Sequence, residues 1–345
     1  FASAGDDGCK FWDLGPGKEL FVVAAGSGGA PLTLTPDGLI LVVGGPGPTI
    51  NRYDAQTGEK LQPFADVELD EGQSLVGAMR FTPDGRKLVI SLSGGDVLVF
   101  EYRSGELLMT LRGHVGAVLG MDITSDGRYL VTSGFDGKAI VWDLSDGTMV
   151  TEYTGHAGWV TGLTFTPDDR RVLTGSEDKT VQVWDPLSGE LLEAITATGP
   201  IGTLQITPDG KYVLAATIDG DAIIWDAESW EVRRVFPAHP SGSYGSVLSA
   251  DGTRWVTAGF EGSAKVWDIP SGDPVATLYG YQGNVTVVDI SADGKYVYST
   301  CWGGLAHAHV IDTDELLALA ESRVSRSLTD EECQTYLHVE ACPVK

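Results

Sequence analysis

The stretch "SGFDGKAIVWDLSDG" (133–147) places two carboxylates, Asp136 and Asp143, and the indole of Trp142 within eight positions. Paired carboxylates beside an aromatic ring are groups that acid–base catalysis and ligand binding use. The same residues also suit a repeated structural unit that carries no chemistry. The choice between the two depends on whether the pattern occurs once or recurs.

A turn of the Pro-Asp-Gly type and a pair of one aromatic and one acidic residue both recur along the chain. The turn occupies seven places: 36–38, 83–85, 125–127, 167–169, 208–210, 250–252 and 292–294. The aromatic residues are Trp12, Tyr53, Phe100, Trp142, Trp184, Trp225 and Trp267, which step by 41, 47, 42, 42, 41 and 42 residues. Each period reads as four short strands between turns. Such a unit cannot bury both faces alone, so the repeat predicts blades stacked around an axis.

Two consecutive units, 113–144 and 155–186, carry Gly-His near their start and Trp-Asp near their end. They resemble WD40 repeats, and the resemblance extends over about residues 1–311, although the units at 26–54 and 75–101 depart from the pattern. In that family a His, a Ser or Thr, a turn carboxylate and the Trp form a buried hydrogen-bond chain. The resemblance implies three such chains: His114, Thr132, Asp136 and Trp142; His156, Thr174, Asp178 and Trp184; His239, Thr257, Glu261 and Trp267.

The expected fold is all-β, a seven-bladed WD40 β-propeller with a short C-terminal helical tail. In this arrangement 19–24 completes the last blade, and closure of the ring removes exposed strand edges. An eight-bladed ring, with 1–24 as an incomplete blade, is the alternative. The expected division of the chain is 1–18, a remnant of a preceding WD repeat, 19–311, the propeller, and 312–345, the tail.

The segment from 312 onward has a different pattern. Thr313 is predicted to cap an amphipathic helix, and Thr329 with Glu332 forms a capping-box pattern for a second short helix. The ending, with "LTDEEC", "YLH" and "CP", resembles the C-terminal segment of large bacterial WD40 signalling proteins. In those relatives the propeller follows a STAND-type ATPase, a protein kinase, a cyclase or a transcriptional activator. The resemblance therefore implies an N-terminal effector domain that this chain lacks.

Two groups of residues have the chemistry of metal ligands. Cys333, His338 and Cys342 lie within ten residues, but a fourth ligand is not apparent, and a disulfide or a packed thiol pair is favoured. His307 and His309 alternate with alanine, so both face one side of a strand. Without an Asp or Cys near them, a metal site is not expected there either.

Composition restricts the classes of partner. The net charge of −25 argues against binding to a phosphate backbone and suits a protein or peptide of basic character. No run approaches the roughly 18 apolar residues of a membrane span, and no secretory signal is visible. Four cysteines do not make a disulfide scaffold. A cytoplasmic protein without cofactors, nucleic acid or membrane is therefore expected.

The recurring carboxylates argue against catalysis, because a catalytic residue need not occur once per blade. The aspartates after the repeated Trp are expected to satisfy backbone amides at strand ends: Asp143, Asp185, Asp226 and Asp268. No nucleophile elbow, phosphate-binding loop or metalloprotease motif is visible. The sequence predicts a non-enzymatic interaction scaffold or sensor module of a larger bacterial regulatory protein. The alternative is a propeller enzyme, or a small-ligand or metal sensor, that uses the central channel.

Positions that the repeat leaves variable are better candidates for function. By the family resemblance, one face of the ring, called the top face, carries the following residues: Ala117, Phe135, Trp159, Glu177, Ile218, Tyr244, Phe260, Tyr281 and Trp302. Of these, Tyr244, Tyr281 and Trp302 are expected in loops. Exposed aromatic residues are frequent anchors of protein interfaces. The hypothesis is that Phe135, Trp159 and Phe260 form an aromatic platform, surrounded by acidic residues, that binds a basic peptide.

Overall fold

The chain forms a seven-bladed β-propeller. The computed structural model describes residues 2–5, 8–11, 17–26, 30–45, 49–66 and 75–322. Within these ranges, seven four-stranded antiparallel sheets follow one another along the chain. Neighbouring sheets pack through shared apolar clusters, as where Val99 of one sheet and Met121 of the next lie in the same cluster. The prediction of an all-β fold with seven blades rather than eight is confirmed.

The blades are numbered along the chain, and each runs from an inner strand to an outer strand. The first strands are β1 (Ala2–Gly5) and β2 (Gly8–Phe11), which form a separate two-stranded sheet, and β3 (Lys18–Ala24). Blade 1 contains β4 (Leu32–Leu34), β5 (Ile40–Gly44), β6 (Thr49–Asp54) and β7 (Ala65–Asp66). Blade 2 contains β8 (Leu75–Phe81), β9 (Lys87–Leu92), β10 (Val97–Glu101) and β11 (Leu107–Leu111). Blade 3 contains β12 (Val118–Ile123), β13 (Tyr129–Gly134), β14 (Ala139–Asp143) and β15 (Thr148–Tyr153).

The remaining blades follow the same order. Blade 4 contains β16 (Val160–Phe165), β17 (Val172–Ser176), β18 (Thr180–Trp184) and β19 (Leu191–Thr196). Blade 5 contains β20 (Ile201–Ile206), β21 (Tyr212–Thr217), β22 (Asp221–Asp226) and β23 (Val232–Pro237). Blade 6 contains β24 (Ser243–Leu248), β25 (Arg254–Gly259), β26 (Ser263–Asp268) and β27 (Pro274–Leu278). Blade 7 contains β28 (Val285–Ile290), β29 (Tyr296–Cys301), β30 (Leu305–Val310) and, as its outer strand, β3.

Blade 7 closes the ring by combining distant parts of the chain. Strand β3 pairs antiparallel with β30, from Lys18 opposite Val310 to Ala24 opposite Leu305. The pairing covers the edge of β30 that would otherwise be open, which is the closure that the sequence predicts for strand 19–24.

The Pro-Asp-Gly-type turns recur because their aspartates have the same structural role in every blade. Inner strands begin at the top face and end at these turns, on the opposite, bottom face. In blade 3, Thr124 Oγ1 donates to Asp126 Oδ1 at 2.7 Å, and this hydrogen bond holds the pKa of Asp126 below its ordinary value. The same bond, at 2.6 to 2.7 Å, recurs in all seven blades. These aspartates therefore belong to the turns.

A short helix follows the propeller. Helix α1 spans Thr313–Ser322, and Leu316 is buried. Its cap is Asp312 rather than the predicted Thr313, because Asp312 Oδ1 accepts the N–H of Glu315 at 2.9 Å. The predicted second helix at Thr329 lies outside the described residues. Within the described ranges, no helix is long and apolar enough to cross a membrane.

Candidate functional site

Three blades contain a buried hydrogen-bond chain made of the twelve residues that the resemblance implies. In blade 3, His114 Nδ1 lies 3.0 Å from Asp136 Oδ1, and His114 Nε2 lies 2.9 Å from Thr132 Oγ1. The Trp142 indole N–H donates to the same hydroxyl at 2.9 Å. The corresponding distances are 2.9, 2.9 and 3.3 Å among His156, Asp178, Thr174 and Trp184, and 2.6, 2.8 and 2.9 Å among His239, Glu261, Thr257 and Trp267.

A neutral imidazole can complete such a chain, because it has one N–H donor and one acceptor nitrogen. The Trp N–H donates to the Thr hydroxyl, one ring nitrogen lies beside the carboxylate, and the other contacts the Thr hydroxyl. Burial lowers the pKa of both His156 and His239, which favours the neutral form. Burial raises the pKa of Asp178, but hydrogen bonds from Thr180, the Ala157 N–H and His156 outweigh it and lower the pKa overall.

The hydrogen-bond chains also hold the loops of the top face in place. Asp136 Oδ2 accepts the backbone N–H of Val115 at 2.9 Å, and Asp178 Oδ2 accepts that of Ala157 at 3.0 Å. Each carboxylate thereby ties the loop entering a blade to a turn of the same blade. The Trp-Asp aspartates serve strand ends in the same way, since Asp185 Oδ1 accepts the N–H groups of two residues in its turn. These recurring carboxylates are used by the fold.

Five turn residues are presented at the top face by one repeated backbone bond. The N–H of the residue before the turn acid, or before Gly303 in blade 7, donates to the carbonyl of the residue preceding the inner strand, at 2.8 to 3.1 Å. The donors are Phe135, Glu177, Ile218, Phe260 and Trp302, and the acceptors are Ala117, Trp159, Pro200, Gly242 and Asn284. The repeat fixes this backbone and leaves the side chains variable.

Phe135 and Trp159 form an exposed aromatic pair between blades 3 and 4. Their ring centroids are 4.4 Å apart at an interplanar angle of 54°. Phe135 is 41% exposed and Trp159 is 44% exposed, so the pair presents apolar surface to solvent. Ala117, whose carbonyl accepts the Phe135 N–H, lies half-buried beside it.

Phe260, the third ring of the predicted platform, pairs with Tyr244 instead. Their centroids are 5.0 Å apart at 48°, and Tyr244 is 38% exposed. Tyr244 lies in strand β24 at the mouth of the central channel rather than in a loop, which corrects the sequence-based placement. Its hydroxyl is 3.5 Å from Glu177 Oε1, so it extends across blade 5 to blade 4. Trp302 is 55% exposed, and Ile218 is half-buried.

Tyr281 does not belong to the exposed surface, which is a second correction. It lies 18 residues before Ser299, the spacing of His114 to Thr132, so it occupies the position of the network histidine. Its hydroxyl is 2.8 Å from Ser299 Oγ and 3.5 Å from His309 Nδ1. Burial raises the pKa of Tyr281. The spacing to Ser299 is the signal that could have revealed this role.

His307 and His309 are buried side by side in blade 7. His307 Nδ1 lies 2.8 Å from Glu19 Oε2 on β3, and His309 Nε2 donates to the Tyr279 carbonyl at 3.3 Å. Cys301 Sγ is 3.9 Å from His307 Nε2, a neighbour that the sequence reasoning missed because it comes from the adjacent strand. Among the described residues, no group of three or more His, Cys, Asp and Glu is arranged to hold a metal ion. Cys333, His338 and Cys342 lie outside those residues.

The central channel contains a charged group that the sequence reasoning also missed. Arg80, Asp122 and Asp289 lie near the bottom ends of three inner strands. Asp122 Oδ2 accepts the Phe165 N–H at 2.8 Å, and Asp289 Oδ2 accepts the Leu34 N–H at 2.9 Å. Burial raises the pKa of both aspartates, while Arg80 opposes this effect. Each carboxylate ties its inner strand to the next blade.

Comparison with known families agrees with this geometry. The family model of the WD domain, G-beta repeat (WD40), matches 105–143, 147–185, 189–226, 230–268 and 272–307, which together make up more than half of the chain. Each match begins near the outer strand of one blade and extends through most of the next. No curated protein matches the chain significantly.

Proposed function

The chain belongs to the WD40 family, and we propose that it is a non-catalytic interaction module whose partner binds at the top face of the propeller. WD40 propellers commonly bind proteins or peptides, and they are generally non-catalytic scaffolds. The observation that carries the proposal is the exposed Phe135–Trp159 pair.

Physical chemistry supports this choice of surface. Large apolar side chains exposed together mark interaction sites more often than isolated ones do. Aromatic side chains bury much area for little loss of conformational entropy, and they dominate the binding energy of many interfaces. The equivalent positions in blades 4 and 5 hold Glu177 and Ile218, so the repeat does not require an aromatic residue at 135.

The charge of the chain supports a partner of basic character. The net charge is −25, and the acid–aromatic combination at the top face complements positive side chains rather than phosphate groups. The proposed partner is accordingly a protein or peptide and not a nucleic acid.

We also propose that the module, residues 19–311 with the tail 312–345, acts in a larger bacterial regulatory protein. Residues 1–18 are then a remnant of a preceding repeat, and the effector domain precedes it. The support is the resemblance of the ending "LTDEEC" and "YLH" to bacterial WD40 signalling proteins. The aspartates of the central channel, which would serve a ligand-sensing alternative, are bonded to backbone N–H groups of neighbouring blades.

A peptide selection tests the proposal. A random peptide library displayed on phage is selected on the wild-type chain, and the affinity of the selected peptide is measured by fluorescence anisotropy. We expect the double variant Phe135→Ala/Trp159→Ala to bind at least about tenfold more weakly, since central interface aromatics cost more than about 1.4 kcal/mol when truncated. Leu187→Ala, an exposed residue at the β18–β19 turn, is the matched control and leaves binding unchanged. Equal affinity of the double variant would contradict the proposal.

A further inference from the structure

The second aromatic pair of the top face lies beside carboxylates that the fold does not neutralise. Tyr244 and Phe260 are 5.0 Å apart, and the Tyr244 hydroxyl is 3.5 Å from Glu177 Oε1. Burial raises the pKa of Tyr244, and the Glu177 carboxylate raises it further. Among the described residues, Glu177 has no ion pair, and Lys179 in the same turn makes none with it.

Blade 5 adds a free carboxylate because its hydrogen-bond chain is missing. In blades 3, 4 and 6 the turn acid bonds to a histidine 22 residues earlier. The residue 22 positions before Asp219 is Ala197 (219 − 197 = 22), so no imidazole is present to bond it. Within the part of the chain that the structure describes, neither Asp219 nor Asp221 has a hydrogen-bond or ion-pair partner for its carboxylate.

The turn that carries Asp219 borders the aromatic pair. A Cβ atom on Gly242 would clash with the Ile218 carbonyl oxygen and would lie 3.3 Å from Phe260 Cδ2, so the backbone before Asp219 and the ring of Phe260 flank one glycine. The channel wall below the pair is formed by neutral side chains that include Thr161, Thr203 and Ser246. Arg80 also lines this channel, where its guanidinium acts on Asp122 and Asp289 near the bottom ends of their strands.

We propose that Tyr244, Phe260 and Glu177 form a binding site for a lysine or arginine side chain of the partner. The aromatic faces attract the cation through their quadrupoles. The Glu177 carboxylate supplies an opposite charge, and Asp219 and Asp221 add negative potential at the border. This inference rests on the proposed function and assigns different roles to the two pairs, since Phe135 and Trp159 present exposed apolar surface and take an apolar side chain.

Capped amino acids are suitable probes because they test the side chain alone. The wild-type chain, labelled with fluorotyrosine, is titrated with N-acetyl-arginine amide and N-acetyl-lysine amide and followed by fluorine NMR. N-acetyl-citrulline amide and N-acetyl-norleucine amide are the neutral analogues of similar shape. We expect a saturable shift of the Tyr244 signal with at least one cationic probe, and binding at least about fivefold weaker for both neutral probes.

Variants of Glu177 and Tyr244 separate the contribution of the carboxylate to binding from that of the aromatic ring. Glu177→Gln is isosteric at a half-buried surface position, and we expect it to weaken binding of the cationic probe about fivefold or more. Glu59→Gln, an exposed control on blade 1, leaves this affinity unchanged. With tryptophan fluorescence as readout, Tyr244→Leu removes most of the binding, and Tyr244→Phe retains most of it because the ring remains. Equal binding of norleucine and lysine probes, or full binding by Glu177→Gln, overturns the inference.

Failure of the cation site can be distinguished from failure of the proposed function. If the selected peptide depends on Phe135 and Trp159 but not on Glu177, the top face binds a partner and the cation site is wrong. If the peptide depends on none of the three residues, the proposed function itself fails.

Discussion

Blades 4 and 7 occupy equivalent places in the ring but solve the same packing problem differently. In blade 4, the Thr174 hydroxyl lies at the centre of a chain that joins Trp184, His156 and Asp178. In blade 7, Ser299 at the same register contacts Tyr281, which also approaches His309. The two blades show that different side chains can form a buried polar centre at the same register of the fold.

The two blades also differ in what holds them together. Blade 4 is formed by consecutive strands, whereas blade 7 depends on β3, which is remote in the chain. The Glu19–His307 contact joins β3 to β30 at 2.8 Å, so titratable groups contribute at the closure itself. Blade 7 therefore joins two distant parts of the chain partly through a contact between titratable side chains.

The largest expected effect comes from removing the hydroxyl at the centre of blade 4. Thr174→Val keeps the shape of the side chain but leaves the Trp184 N–H and the His156 Nε2 without their partner. Two buried polar groups without partners cost roughly 3 kcal/mol of unfolding free energy. Urea denaturation followed by circular dichroism measures the loss.

Ser299→Ala is the matched substitution in blade 7. Its cost is expected to be only about 1 kcal/mol, because the Tyr281 hydroxyl can still donate to His309 Nδ1. Equal losses for the two variants would show that the centres of the two blades are not different in this way.

Acidification tests the closing blade. Burial, which is the largest cause, and the neighbouring His307 lower the pKa of His309 to about 4, against an ordinary value of 6.5. Because the folded pKa lies below the unfolded one, His309 contributes stability that is present above pH 6.5 and is lost as pH falls toward 4. The loss is at most about 3 kcal/mol, because each tenfold difference in proton affinity between the folded and unfolded chain corresponds to about 1.4 kcal/mol.

His309→Gln isolates this contribution, since His156 and His239 also have lowered pKa values and act in the same direction. We expect the urea midpoint of the variant to fall less steeply between pH 6.5 and 4 than that of the wild type. Identical pH profiles would mean that His309 does not contribute to the acid sensitivity.

The sequence was sufficient for the fold because the repeat defines its own register. Trp142 and Trp184 recur at a fixed spacing, and each needs a partner for its N–H, which predicts the chains in blades 3 and 4. Strand 19–24 had no other place in a seven-bladed ring, so its pairing with the last blade followed from counting strands.

The candidate site was less accessible to sequence reasoning. Whether Phe260 pairs with Trp159 or Tyr244 depends on contacts across blades, which a one-dimensional repeat does not contain. Tyr281 looked like a surface aromatic because its chemistry differs from histidine, although its distance from Ser299 marked it as a network residue. The lack of a partner for Asp219 can be recognised in the sequence only by noting that Ala197, and not a histidine, lies 22 residues before it.

The repeat builds the ring, and we propose that the variable side chains at the top face bind the partner. Amide hydrogen exchange of the chain, with and without a phage-selected peptide, tests it most directly. We expect the peptide to add protection only at the top-face turns around Phe135, Trp159, Glu177 and Phe260. Protection confined to the Asp-Gly turns of the bottom face, or to the outer strands, would contradict it.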